Sequence, residues 1–296
     1  MKLGVIAFSN SLTESDRPIF EKFKLLLEKT NYDIYFSSYL FKNKDNLNLL
    51  QISEKKALEA NEFMQAGVKV LLDISGGDTA NLVLEYLNFD LISQNKVKYV
   101  GYSDNSVILN SICSQAKLPS FYYCPRLIAE DESGQQLNYF LSTVLDFKLN
   151  EPAFKYEFLR GDSLSGEVLG GNLRCTLKIA GIRFFPDFTD KILFLESLSG
   201  GLSRISSYLH EYYMLGVFDK IKGLIIGNFS ELQEKFGRQS VLDVFEPYLD
   251  KSNYPIIITD ELGHNVADKC IPFGFFNFFY TPTKKPMHCP LPKKNT

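Results

Sequence analysis

The chain contains no tryptophan, only three histidines in 296 residues, and five cysteines (Cys113, Cys124, Cys175, Cys270, Cys289) with no Cys-x-x-Cys pair among them. An odd, scattered set of thiols speaks against a disulfide framework, and the lack of clustered ligands speaks against zinc. A metal-free and cofactor-free protein of a reducing compartment, the cytoplasm, is expected. Basic clusters are also scarce. The longest is Lys293-Lys294, with Lys284-Lys285 nearby, and the net charge is −3, so no nucleic-acid footprint is present. No apolar run is long enough to span a membrane. The opening MKLGVIAFSNSL has a brief apolar segment followed by Glu14 and Asp16, which reads as a buried first strand and not as a signal peptide. Internal repeats and low-complexity tracts are missing too.

What is present is ordinary globular composition, 45% hydrophobic and 23% charged, in a chain long enough for two domains. Short apolar runs alternate with helix-period segments over the first ~125 residues, the pattern of a parallel sheet covered by helices. Strands are expected over residues 3–8, 34–40, 68–74 and 97–102. Helices are expected over 18–29, from Glu54 with Ser53 as cap, over 78–87, and after Asp104. The pattern loosens between Pro125 and Asp162 around one helix, then resumes with strands over 192–195, 223–226 and 256–259 and helices near 202–215 and 241–249. The reading is an α/β protein of two domains: residues 1–125, an interdomain connection over 126–162, and a smaller α/β domain over 163–296. The Pro- and Lys-rich tail after Tyr280 reads as extended surface chain.

In open α/β sheets ligands gather at the carboxyl ends of strands, and two strand-to-helix loops stand out there. Ile74-Ser75-Gly76-Gly77-Asp78 leaves glycine N–H groups able to face an anion, although a Gly-Gly pair also makes an ordinary tight turn. The G-x-G-x-x-G spacing of a dinucleotide site is absent. Tyr99-Val100-Gly101-Tyr102-Ser103-Asp104-Asn105 puts a serine at the turn between a buried strand and the next helix, as in a nucleophile elbow. There the N–H of the following residue, Asp104, would be an oxyanion donor. Asn105 stands where G-x-S-x-G has its second glycine. The competing reading is that Ser103 or Asp104 simply caps the helix.

A serine nucleophile needs a base, and three histidines can be compared. His210 falls in a helical pattern, with a helix-surface role as its default, and His288 lies in the tail. His264, in Glu261-Leu262-Gly263-His264-Asn265, follows a strand and is the best candidate. Glu196, ending the run Ile192-Leu193-Phe194-Leu195-Glu196, suits the carboxylate that would orient it, with Asp260 as a rival.

Together these loops resemble the LD-carboxypeptidase family, which includes the microcin C self-immunity peptidases. The resemblance covers most of the chain. It is carried by Gly76-Gly77, Leu87-Asn88-Phe89-Asp90-Leu91-Ile92, Gly101-Tyr102-Ser103-Asp104, Gly170-Gly171-Asn172-Leu173, Leu193 to Glu196 and Gly263-His264. It implies a Ser103, Glu196 and His264 triad with oxyanion N–H groups from Gly77 and Asp104, and Gly76, Asn172 and Arg174 near the substrate. It further implies an N-terminal domain like a class I glutamine amidotransferase (flavodoxin-like), a C-terminal domain bringing Glu196 and His264, catalysis without a metal, and a homodimer. The implied substrate is a small peptide or peptidyl-nucleotide: either an amide joining an aminoacyl group to a nucleotide analogue, to whose branch the loop spacing looks closer, or the terminal D-alanine amide of a murein tetrapeptide. The absence of tryptophan weakens the nucleotide reading, though 16 Tyr and 25 Phe could stack a base.

Several positions depart from the family pattern. Ser106 stands where threonine is common, Cys124 where glycine is common, Arg174 where a small residue is common, and Ser197 where aspartate is frequent. Two other classes remain open to the sequence. One is a binding protein on the same fold without turnover. The other is a cysteine enzyme, which the lack of a cysteine at the elbow and the mid-helix position of Cys113 disfavour.

Overall fold

The structure, a computed structural model, describes residues 1–42, 47–146, 149, 152–249, 253–264, 268–274 and 278–280. The tail after Tyr280, with His288 and Cys289, lies outside the described residues. In chain order the strands are β1 (Lys2–Ile6), β2 (Asp33–Phe36), β3 (Val70–Asp73), β4 (Lys98–Gly101), β5 (Ser120–Tyr122), β6 (Glu157–Arg160), β7 (Leu164–Gly166), β8 (Val168–Asn172), β9 (Ile192–Ser197), β10 (Gly223–Phe229), β11 (Ile256–Ile258), β12 (Ile271–Phe273) and β13 (Phe278–Tyr280). They build a six-stranded sheet of order β12-β5-β4-β3-β1-β2, a five-stranded sheet of order β6-β11-β10-β9-β8, and a two-stranded pair of β13 with β7.

Strands β1 to β5 run parallel, and so do β8 to β11, which is why β3, β9, β10 and β11 read as apolar runs and not as alternating ones. Every residue of β3, β9, β10 and β11 is buried. Each sheet has one antiparallel edge that reaches past the expected divisions. β6, within the stretch read as a connection, pairs with β11. β12, from the C-terminal half, pairs with β5 and closes that edge of the N-terminal sheet.

The helices that cover the first sheet include α1 (Arg17–Glu28), with Pro18 in its first turn, and α2 (Leu49–Gln65). α2 starts earlier than the expected Glu54. Asn48 caps it by accepting the Gln51 N–H at 3.0 Å, Gln51 reciprocates, and Ser53 is buried inside the helix. The helix expected over 78–87 is instead a single 3-10 turn, Ala80–Val83, followed by α3 (Phe89–Asn95), which Asn88 starts by accepting the Leu91 N–H at 2.8 Å. α4 (Ser106–Ser111) follows β4 and is buried throughout. Leu127–Glu130 (α5) and Gln135–Tyr139 (α6) occupy the connection, α7 (Leu173–Leu177) leaves β8, and α8 (Leu202–Met214) carries exposed His210 on its outer face, as expected.

Strand β8 was hidden by its glycines, which weaken any strand pattern. Gly170 has φ +124°, and a Cβ there would collide with the backbone oxygen of Phe194 on β9, so only glycine lets the two strands lie this close.

Candidate functional site

Parallel sheets bring their loops together at strand carboxyl ends, and here the ends of β1, β3 and β4 face those of β8, β9 and β11. The N-terminal sheet reverses its strand order between β1 and β3, the point at which open α/β sheets take their ligands. Ser103 leaves β4 with φ +55°, a left-handed conformation that costs a non-glycine residue ~1–2 kcal/mol. Tyr102 holds the N-cap position of the 3-10 turn Ser103–Asn105, and no side-chain cap bond forms. The capping alternative for Ser103 therefore fails, and the strained turn is that of an elbow. Asn105, in place of a second glycine, donates through Nδ2 to Ser75 O at 2.9 Å and so ties the elbow to the glycine loop.

Both loops have their peptide planes fixed from behind. Gly76 O accepts the Asn10 N–H at 3.2 Å, and Ser103 O accepts the Ser106 hydroxyl at 2.7 Å. In a planar trans peptide the N–H points opposite to the carbonyl. The N–H of Gly77 therefore points away from Asn10, and that of Asp104 points away from the Ser106 hydroxyl. A Cβ built on Gly76 would lie 3.8 Å from Ser103 Cβ, so the glycine loop and the elbow are neighbours. Gly77, at φ +130°, is packed over Asn10 and has no room for a side chain.

From the other sheet, Glu196 is fully buried at the end of β9. Its Oε2 lies 2.7 Å from His264 Nδ1, while Oε1 accepts the Asn172 amide at 2.9 Å and the Tyr122 hydroxyl at 2.8 Å. A carboxylate so placed fixes the histidine with Nδ1–H toward Glu196 and leaves Nε2 as the acceptor. Burial pulls the imidazole pKa down, but the Glu196 charge and hydrogen bond pull it up, and the net shift is upward. The His264 ring packs against Tyr102, the residue before Ser103, with centroids 5.6 Å apart. Among the described residues no hydrogen bond joins Ser103 Oγ to His264, whose bonded partner is Glu196. Asp260, the rival acid, lies within 3.5 Å of Gln233 Nε2 on the exposed side.

The other expected site residues are placed as follows. Asp104 is completely buried, and its carboxylate accepts the Ser9 hydroxyl at 2.6 Å and the Ala80 N–H at 2.9 Å and pairs with Lys178. Asn172 uses Oδ1 to cap α7 through the Cys175 N–H and Nδ2 on Glu196. Arg174 pairs with Asp78 and donates to Gly77 O at 3.2 Å. Cys124 is buried, and burial pushes its thiol up to about 12, which keeps it in the neutral thiol form. Among the described residues no group of three or more His, Cys, Asp or Glu is placed to hold a metal.

Sequence reasoning missed Tyr122, whose hydroxyl accepts the Ser103 N–H at 3.1 Å while donating to Glu196. It also missed Ser9, Asn10 and Lys178. The one available signal was Tyr122 itself, a polar-tipped aromatic ending an apolar run, and that strand had gone unread.

The LD-carboxypeptidase N-terminal domain family matches residues 3–123, and the LD-carboxypeptidase C-terminal domain family matches residues 165–276. The microcin C7 self-immunity protein MccF of Escherichia coli is 23% identical over 75% of this chain and 74% of its own length. A solved structure of MccF in complex with glutamyl sulfamoyl guanosine superposes with a TM-score of 0.80 at 18% identity, covering 92% of this chain and 91% of that one. A muramoyltetrapeptide carboxypeptidase from Oxalobacter formigenes does so with a TM-score of 0.72 at 21% identity, covering 93% of each. With both halves of the chain matched in order, this protein belongs to the LD-carboxypeptidase family and is a serine hydrolase.

Proposed function

We propose that the chain is a serine amidase in which Ser103 attacks an amide carbonyl, His264 Nε2 takes the Ser103 proton and Glu196 orients the imidazole. The observation that carries this reading is the buried Glu196–His264 pair, 2.7 Å apart and packed on the strained elbow of Ser103. The N–H groups of Gly77 and Asp104, both aimed away from their tethered carbonyls, would receive the tetrahedral oxyanion. His264 then passes its proton to the leaving amine, and water hydrolyses the acyl-enzyme by the same route.

Gly76 is proposed to meet the substrate through its backbone beside Ser103, while Asn172 acts on Glu196 and Arg174 on Gly77. The substrate class is a small peptide amide, either the terminal amide of a murein tetrapeptide or an aminoacyl group joined to a sulfamoyl nucleotide, the kind of ligand MccF holds. The proposal includes a cytoplasmic homodimer, which light scattering of the purified protein would check. Among the described residues no helix is long and apolar enough to cross a membrane.

The test is to assay purified protein on murein tetrapeptide and on aspartyl sulfamoyl adenosine, with Ser103→Ala in parallel. Turnover of one of them that disappears in the variant is expected. Turnover that survives in Ser103→Ala would remove Ser103 as nucleophile.

A further inference from the structure

Two cations of the C-terminal half, four residues apart and therefore on one side of α7 and its cap, reach across to the two loops that present Gly77 and Asp104. Arg174 donates through Nη2 to Gly77 O at 3.2 Å and pairs through Nη1 with Asp78. Lys178 donates through Nζ to Asp78 O at 2.8 Å and pairs with the buried carboxylate of Asp104. One ammonium thus bridges the glycine loop and the elbow, and one guanidinium holds the peptide that follows Gly77.

We infer that Arg174 and Lys178 are positioning residues that set the mutual orientation of the Gly77 and Asp104 N–H groups, so that the oxyanion site is complete only when α7 is docked. The inference rests on the reading of those two groups as oxyanion donors. Its geometric basis is the state of the peptide planes. The plane between Gly76 and Gly77 is held by Asn10 at its carbonyl. The plane between Gly77 and Asp78 is held at its N–H by Asn10 Oδ1, 3.3 Å away, and at its carbonyl by Arg174. Glycine at φ +130° has little intrinsic preference to keep this arrangement. Among the described residues, without Arg174 the Gly77–Asp78 peptide keeps only its tether to Asn10 Oδ1, so rotation about the Gly77 Cα–C bond is freed and is resisted only through Asn10, the same residue that holds the Gly76–Gly77 plane and with it the Gly77 N–H. Lys178 supplies the matching restraint on the other donor. The Asp104 carboxylate it pairs with also receives Ala80 N–H and the Ser9 hydroxyl, so the ammonium faces a buried carboxylate that ties the elbow to the segments after β1 and after the glycine loop.

The main variant is Arg174→Met, because the Arg174 side chain is 40% exposed and its loss leaves no buried charge behind. Arg174→Lys keeps a charge for Asp78 but not the fork that reaches Gly77 O. Two readouts are taken on the full chain. In hydrogen exchange, the amides of Asp78 and Thr79, bonded to Asn10 and Ser9 side chains, should exchange at least about tenfold faster in Arg174→Met, with α1 unchanged. On whichever of murein tetrapeptide or aspartyl sulfamoyl adenosine the unaltered protein turns over, kcat should fall about 10–100-fold in Arg174→Met with KM within about twofold, and Arg174→Lys should recover only part of the loss. Unchanged exchange at Asp78 and Thr79 overturns the inference, and so does a rise in KM with kcat intact, which would make Arg174 a substrate contact. If neither substrate is turned over, the proposed substrates fail and the exchange measurement alone decides the positioning role.

Discussion

The hydroxyl of Tyr122 donates to Glu196 Oε1 over 2.8 Å and at the same time accepts the Ser103 N–H over 3.1 Å, so a single buried oxygen joins the elbow to the acid that holds His264. Burial, reinforced by the Glu196 charge, raises the phenol pKa well above its ordinary value, and Tyr122 stays a neutral donor throughout the working range. Tyr122→Phe should cost ~1–3 kcal/mol of stability, since a buried N–H and a carboxylate oxygen each lose a partner. With one donor fewer, Glu196 stabilises the imidazolium more strongly, and the acidic limb of kcat/KM should move to higher pH. Chemical denaturation and a pH–rate series would check the two effects.

The acidic limb of the unaltered enzyme should lie above the ordinary histidine value of about 6.5, because the base must be neutral and the His264 pKa is raised overall. Glu196→Gln removes the charge that raises it and leaves the burial that lowers it, so the limb should shift to lower pH while kcat falls. The sign for stability follows from linkage. A raised folded-state pKa stabilises fully below the unfolded value, and that contribution is lost as pH rises through the folded one. The Glu196→Gln variant should lose this part of the pH dependence, which unfolding midpoints measured across the histidine range would show.

Ser103 holds a left-handed backbone conformation, at φ +55°. Ser103→Gly should therefore be more stable than Ser103→Ala by ~1 kcal/mol, although both lack the proposed nucleophile and both should lose turnover by roughly 10³-fold or more. Thermal unfolding of the two inactive variants side by side isolates the strain from the chemistry. Equal stability would mean the turn is not strained.

Gly77→Ala should be costly on two counts. The residue sits at φ +130° and a Cβ would collide with the Asn10 side chain, together worth ~1–3 kcal/mol. Displacing a proposed oxyanion donor should also lower kcat by roughly 10²–10³-fold. The expected signature is a loss in kcat larger than any change in KM, at a temperature where the variant remains folded by circular dichroism.

Much of this arrangement is readable from the chain order alone. Continuous apolar runs such as Ile192 to Leu195 and Gly223 to Ile226 mark strands buried on both faces, because a parallel sheet covered by helices has no wet side. Ser103 at a strand-to-helix turn, His264 after a strand and Glu196 ending one are each local signals, and the scarcity of histidine narrows the choice of base. Local pattern failed where glycine or a cap residue altered it. Gly170-Gly171 concealed β8, and the helix expected over 78–87 ends after one 3-10 turn at Val83, with Asn88 starting α3 beyond it.

The sequence by itself determined that a serine lies at a strand-to-helix turn, a histidine just after a strand and an acid at a strand's end, since each is marked by its immediate neighbours along the chain. The tertiary structure alone decided the groups that make them a site: Tyr122 on Glu196 from 74 residues away, Asn10 behind Gly76, and Arg174 and Lys178 across 96 and 74 residues on Asp78 and Asp104. The Tyr122 hydroxyl and the carboxylates of Glu196 and Asp104 are buried and must find partners once water is gone, whereas Asn10 and the Arg174–Asp78 pair lie at the surface. Which partner each one finds depends on how the two sheets dock, and short-range pattern carries no record of that.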